Sequence, residues 1–258
     1  MITTALTTRP LKPPKDDLEA VLAAYLPEAL PEESVLVISS KVVAIGQGRC
    51  EPIPVDGDVS AYKEALAYRE AEYVLPKDDA YPYPRIFTVT EGSLISSAGI
   101  DQSNGDGFFV LWPHDPMAAA RALRTYIKSI RQVNALGVII SDSHSSPLRN
   151  GAFGFGIGYA GIRAQYDYRD TPDIFGRHLQ FERLNVIDSL AASAGVVMGE
   201  GGECTPVVLI EDIPHALFSE TESDDPLLAL QVPMDQDVFA PFIMRAPWQR
   251  GGKARDVQ

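Results

Sequence analysis

SVLVIS, residues 34–39, is a short apolar and β-branched run suited to a buried strand, and the fold is read outward from it. Two more continuous apolar strands follow at LGVII, residues 136–140, and PVVLI, residues 206–210. Arg85 to Thr90 (RIFTVT) alternates like a half-buried strand, and Glu91-Gly92-Ser93 reads as a tight turn into Leu94 to Ser97. Helices lie among these strands. Asp115 is a good N-cap followed by Pro116 at the first helical position, for a helix running to about Arg131. A second helix, from Glu182, puts Leu184, Ile187, Ala191 and Ala194 on one face. A third, LEAVLAAYL, opens after Asp16-Asp17 and ends before Pro27, and a fourth lies between Val59 and Tyr73. Because the helices are not strictly interleaved with the strands, the pattern predicts an α+β fold with mixed β-sheets and flanking helices.

The 258 residues suit one large domain or two small ones. The sequence suggests one domain over residues 1–217, with residues 218–258 as an extension packed on it. FSETESDD, from Phe218, reads as an acidic surface loop, and WQRGGKARDVQ as a frayed, mildly basic tail. Lys and Arg number 22 against 35 Asp and Glu, a net charge of −13. That excess argues against a nucleic-acid or anionic-membrane partner, although a few cations or metal ions can still gather a small anion locally. No apolar run approaches the ~18 residues of a membrane span, and MITTALTTRPLKPPKDD lacks the apolar core of a secretory signal. Cys50 and Cys204 are too few for a disulfide framework. The expectation is a soluble, cytoplasmic protein.

Three segments share one pattern, a strand followed by a carboxylate among small residues. They are SAGIDQSN with Asp101, IISDS with Asp142 and Ser143, and VMGEGG with Glu200. A carboxylate at a strand end projects from a rigid scaffold, which suits a metal ligand or a general base. Asp101, Asp142, Glu200 and the Ser143 hydroxyl would make a hard oxygen site for Mg²⁺ or Mn²⁺. A single such acid more often caps a turn, and spacing alone does not make three converge. Gly199, Gly201 and Gly202 flank Glu200 in a run whose N–H groups can approach a phosphate. Gly154, Gly156, Gly158 and Gly161 instead alternate with apolar residues, as close backbone packing requires. Arg121, Arg124, Lys128 and Arg131 recur at helical spacing, most simply as a solvated face. His144 reads as a loop histidine, and Arg149 and Arg177 lie in glycine-flanked loops.

Several segments together resemble the coenzyme F420-0:L-glutamate ligase family. SSKVVAIGQGR, SAGIDQSN, WPHDPMAAARALR, LGVIISDS, the GIGYAGI region, DIFGRHL and VVMGEGG occur in that family's order, from Thr8 to Ile213. The likeness is to its bacterial branch labelled as γ-glutamate ligases of folate metabolism, which EDIPHALF and FAPFIMRAPWQRGG also resemble. The resemblance implies an intertwined homodimer that uses GTP and a divalent metal to join L-glutamate to an acceptor carboxylate. It implies catalysis by Asp142 and Asp101, and metal binding by Asp101, Asp142, Ser143 and Glu200. Nucleotide contacts would come from Thr8, Arg9, Pro10, Leu11, Ser40, Asn104 and the Met198 to Thr205 loop. The sequence departs from the pattern where Ile45 stands for the family's lysine, where Lys41 replaces a hydroxyl residue, and where Ser143 replaces threonine. Lys41 stands one turn from Ile45, which leaves GTP and ATP as alternatives. His144-Ser145-Ser146 stands where the family commonly has Gly-Arg. Two other readings of the same residues are a metal-dependent phosphohydrolase and a non-catalytic nucleotide-binding module.

Overall fold

The computed structural model describes residues 1–80 and 84–254. The chain begins with β1 (Ile2–Leu6), α1 (Leu18–Tyr25), β2 (Ser34–Ser39), α2 (Ser40–Gln47), β3 (Cys50–Pro52) and α3 (Val59–Glu70). It continues through β4 (Tyr73–Leu75), β5 (Phe87–Thr90), β6 (Ser93–Ser96), β7 (Phe108–Val110) and α4 (Pro116–Arg131). It then forms β8 (Leu136–His144), β9 (Phe153–Ala160), β10 (Gln165–Asp167), β11 (Arg183–Asn185) and α5 (Val186–Met198). Last come β12 (Val207–Glu211), α6 (Ala240–Ile243) and β13 (Gln249–Arg250). Two compact units alternate along this chain. The first holds Met1–Pro10, Asp17–Val42 and Asp115–Leu230, and the second holds Leu11–Asp16, Val43–His114 and the chain from Gln231 onward. The division therefore runs differently from segments 1–217 and 218–258, and the C-terminal stretch is shared between the units.

The first unit is built on a five-stranded sheet in the order β1-β12-β2-β8-β9. β2 and β8 are parallel, with Ser34 opposite Leu136 and Ser39 opposite Ser141, and every other neighbouring pair is antiparallel. Val35, Val37, Ile139, Val208 and Ile210 turn to Ile187, Leu190, Ala191 and Ala194 of α5, forming a closed core. The alternate residues Leu36, Ile38, Val138 and Ile140 are also fully buried, so these central strands read as unbroken apolar runs. Glycines in β9 let helices come close. A Cβ on Gly154 would lie 2.4 Å from the Ala191 carbonyl of α5, and one on Gly158 would lie 2.3 Å from the Pro116 carbonyl of α4.

The second unit has an antiparallel sheet in the order β13-β4-β5-β6 and a short pair β3-β7. α3 covers them, packing Leu66 and Ala67 with Val74, Ile86, Ala98, Ile100, Phe109 and Leu111.

The α+β expectation stands, and α1, α3 and α4 occupy the stretches expected of them, with Asp17, Asp58 and Asp115 as N-caps. Four details differ. Glu182 does not start a helix: residues 183–185 pair with β10, Asn185 caps α5, and Leu184 is exposed. β8 runs past Ile140 to His144, because a bulge between Ile140 and Ser141 lets β9 follow it. The basic face of α4 is not left to solvent. Arg131 donates to the carbonyls of Ala23, Leu26 and Pro27 at 2.5, 3.1 and 2.7 Å, closing the end of α1. Arg124 pairs with Glu220 and Arg121 with Glu222, so the acidic loop supplies the missing counter-charges.

The C-terminal tail is likewise bound, at least through the described residues. Gln249 and Arg250 pair with Val74 and Tyr73, and Gly251, Gly252 and Lys253 donate N–H groups to the carbonyls of Glu72, Tyr68 and Ala71. Lys253 reaches the Glu70 carboxylate at 2.9 Å, which also pairs with Arg49 at 2.5 Å and Arg69 at 3.0 Å. Residues 255–258 lie outside the described residues. Burial alone would raise the Glu70 pKa, but the Lys253 and Arg49 cations bring it down to about 2. A folded-state pKa below the ordinary 4.5 means that the stabilisation is complete above that pH and is lost as pH falls through about 2. Glu70→Gln is expected to cost about 1–3 kcal/mol at neutral pH, since three partly exposed cations lose the buried carboxylate they share. Urea unfolding should show this gap closing as pH falls from 4.5 toward 2.

Candidate active site

Asp142 and Ser143 lie within the extension of β8, opposite Phe155 and Gly154, and not at the strand's tip. The Asp142 carboxylate accepts the Ser143 N–H at 2.8 Å. The Ser143 hydroxyl lies 2.7 and 2.8 Å from the two carboxylate oxygens of Glu200. Ser143 thus donates to two carboxylates, through its N–H and through its hydroxyl. Glu200 reaches it because α5 ends at Met198 and Gly199 turns the chain with φ 75°. The Val197-Met198 stretch is the end of that helix and not a strand, so Glu200 follows the strand-then-carboxylate pattern only in sequence. The donors are all hard oxygens, the donor chemistry that a divalent cation of the Mg²⁺ or Mn²⁺ kind takes. Among the described residues, no group of three or more His, Cys, Asp and Glu side chains gathers to hold a metal.

The glycine loop lies beside these oxygens in the chain and already binds an anionic group. Gly201 N–H donates to the Glu203 carboxylate at 2.8 Å, and a Cβ on Gly199 would come within 2.6 Å of that carboxyl carbon. Gly202 has open space around it. The Thr205 hydroxyl donates to the Met198 carbonyl at 2.7 Å and closes the loop. Thr8 is buried and joins the loop through its N–H to the Cys204 carbonyl at 2.8 Å, while its hydroxyl donates to the Arg9 carbonyl. Arg9 in turn donates to the Pro10 carbonyl. Ser40 and Lys41 open α2 directly after Ser39, whose register partner is Ser141. They therefore continue β2 where Asp142 and Ser143 continue β8, at the carboxyl ends of the parallel pair, the usual ligand position in such sheets. His144 is not a loop histidine. It ends β8 between the rings of Phe153 and Phe155, with centroids at 5.8 and 4.8 Å. Burial pushes its pKa down, and the Asp188 carboxylate opposes that.

Asp101, Asn104 and Leu11 belong to the second unit. Leu11 is buried. Ser97, Ala98 and Gly99 have φ of 51°, 52° and 66°, three successive left-handed residues directly ahead of Ile100-Asp101. Strain of this kind in non-glycine residues persists only where the surroundings impose it, and it clusters at functional positions. Here the imposing groups are identifiable. Gly99 leaves no room for a side chain, since a Cβ would lie 2.0 Å from the Trp112 ring. Ala98 donates its N–H to the buried Thr88 hydroxyl at 2.9 Å, and Thr88 donates onward to the Ile95 carbonyl at 2.8 Å. Asp101 then exchanges two 2.9 Å backbone hydrogen bonds with Val110, which fixes its position. Thr88 is a residue that sequence reasoning missed; its only signal was a threonine on the buried face of an alternating strand.

Comparison with known proteins points to one class, the acid–amino-acid ligases. The chain belongs to the F420-0:Gamma-glutamyl ligase family, which matches it over residues 8–212. The coenzyme F420:L-glutamate ligase of Methanothermobacter thermautotrophicus is 31% identical to it over 251 residues, covering 89% of this chain and 95% of that protein. The like-named proteins of Halorubrum lacusprofundi and Haloarcula marismortui are 35% and 34% identical, covering 76% and 82% of this chain and 81% and 90% of their own. These relatives are named for coenzyme F420, not for folate.

Thr88→Val keeps the volume but leaves the Ala98 N–H without its acceptor, at an expected cost of about 1–3 kcal/mol. Thr88→Ser should retain most of the stability. Equal thermal melting of the two variants would show that the hydroxyl does not hold the turn.

Proposed function

We propose that this enzyme joins the amine of L-glutamate to a carboxylate of F420-0, using GTP or ATP through an acyl phosphate. The observation that carries the reading is Ser143, whose N–H donates to the Asp142 carboxylate and whose hydroxyl donates to that of Glu200, with a glycine loop following Glu200 that already holds a carboxylate. A free carboxylate is a poor acylating agent. In the proposed reaction its oxygen attacks the γ-phosphorus, the nucleoside diphosphate leaves, and the glutamate amine attacks the acyl carbon as inorganic phosphate departs. A bound Mg²⁺ or Mn²⁺ would neutralise phosphate charge during transfer. Asp101, Asp142, Ser143 and Glu200 are its proposed ligands. The nucleotide falls to Thr8, Arg9, Pro10, Leu11, Ser40, Lys41, Asn104, Gly199, Gly201 and Gly202. Backbone N–H groups such as that of Gly201 stabilise an oxyanion without reorganising.

Asp142→Asn should abolish glutamyl transfer while the protein keeps its circular dichroism spectrum and melts no lower than wild type, since a carboxylate beside other carboxylates is removed. Calorimetry should show metal-dependent nucleotide binding lost. The assay follows the acceptor's mass with F420-0 and folate in separate arms, each with GTP and with ATP. Phosphate release from nucleotide alone, without acceptor and glutamate, would favour a phosphohydrolase instead.

We also propose a homodimer. The connection between β10 and β11 is tied by backbone hydrogen bonds such as Leu179 to Thr171, yet it exposes Ile174 and Phe175 at 91% and 89%. Phe181 is 78% exposed in the same connection, and bare apolar groups this close together mark an association surface. Light scattering should give twice 28.1 kDa, and Phe175→Glu should shift the mass to 28.1 kDa. A wild-type particle of 28.1 kDa at micromolar concentration would refute the dimer.

A further inference from the structure

Lys63 stands on the face of α3 that carries Leu66 and Ala67, three and four residues on, and those two residues pack against Ala98 and Ile100. Asp101 follows Ile100 directly, so the Lys63 side chain leaves α3 beside the strained segment that presents the carboxylate. Lys63 is half-buried, and its ammonium enters none of the hydrogen bonds or ion pairs found among the described residues. Two charged groups act on it from other elements. Burial works most strongly against its charge, the Asp101 carboxylate favours it, and the Arg85 guanidinium, next to Ile86 ahead of β5, opposes it. Lys63 and Arg85 thus put two cations within electrostatic reach of one another and Lys63 within reach of the Asp101 carboxylate, on a chain whose total is −13. A half-buried ammonium left this way gains most from a second anion.

We propose that Lys63, with Arg85 beside it, binds a phosphate oxyanion of the nucleotide next to Asp101. This rests on the nucleotide-dependent reading above and extends it to two residues that neither the motif pattern nor the resemblance singled out. Phosphate is the fitting anion because it carries more than one negative charge and offers several oxygens, so that two cations can share it. A lysine meets it as a point charge and an arginine as a two-pronged donor.

The test is calorimetric titration of the full-length protein with GTP and ATP, each in Mg²⁺ and in EDTA, on wild type, Lys63→Met and Lys63→Arg. Steady-state constants for nucleotide, glutamate and acceptor accompany it. Lys63→Met should weaken binding of the preferred nucleotide about tenfold in EDTA as well as in Mg²⁺, and raise the nucleotide KM with the other two constants unchanged. Lys63→Arg should restore most of the affinity. Unchanged or tighter nucleotide binding by Lys63→Met would overturn the proposal, as would a loss seen in Mg²⁺ but not in EDTA, the result expected of a lysine that acts only through Asp101 and its metal. A change confined to the glutamate or acceptor KM would overturn it too. If wild type binds neither nucleotide, the nucleotide-dependent reading fails first and this one with it; if wild type binds and Lys63→Met binds equally, this one fails alone.

Discussion

The parallel pairing of β2 with β8 is the constraint on which the first unit depends. Six residues of each strand lie in register from Ser34 and Leu136 to Ser39 and Ser141, and both faces of the pair are buried. A slip of one residue would exchange the set facing α5, Val35, Val37 and Ile139, for the set on the opposite face. It would also move Ser40 and Lys41 relative to Asp142 and Ser143. The apolar core thereby fixes where the polar ends of the two strands emerge.

The second unit positions its carboxylate by another means. Its sheets are short and the Asp101 segment is irregular, so local conformation does what a long strand does elsewhere. Three left-handed residues, a tryptophan ring against Gly99 and the Thr88 hydroxyl together leave the chain a single path into Asp101. A turn defined this closely has few alternative conformations, which holds Asp101 in one place.

The regular elements were legible in the sequence because their signals are local. SVLVIS announces a strand, Asp115-Pro116 a helix start, and GFGIG a close approach, and each was found where expected. The three carboxylates and their glycines could be nominated from sequence. What could not be read was any relation between distant residues. The extension of β8 past Asp142 depends on β9 bulging beside it. The contact of Ser143 with Glu200 spans 57 residues, and the charges that cover the α4 face come from a loop about 100 residues away. The tail looked frayed because its composition says nothing of the Glu70 carboxylate that Lys253 meets. The Glu182 start failed because the 183–185 segment found a strand partner in β10, and tertiary pairing outweighs helical periodicity.

The glycines of β9 act as a gauge of thickness. Gly154 lies against the Ala191 carbonyl and Gly156 against the Ile187 side chain, so α5 rests on bare backbone. Glu200 hangs from the far end of that helix, and Ser143 stands on the strand beside those glycines, opposite Gly154 itself. The gap between the two oxygen donors is thus set by how little material separates helix from sheet. A single methyl group inserted at Gly154, well inside the core and with no polar atom of its own, would lift α5 and carry Glu200 away from Ser143. Two hydrogen atoms, one on each of two glycines, thereby set the spacing between Ser143 and Glu200.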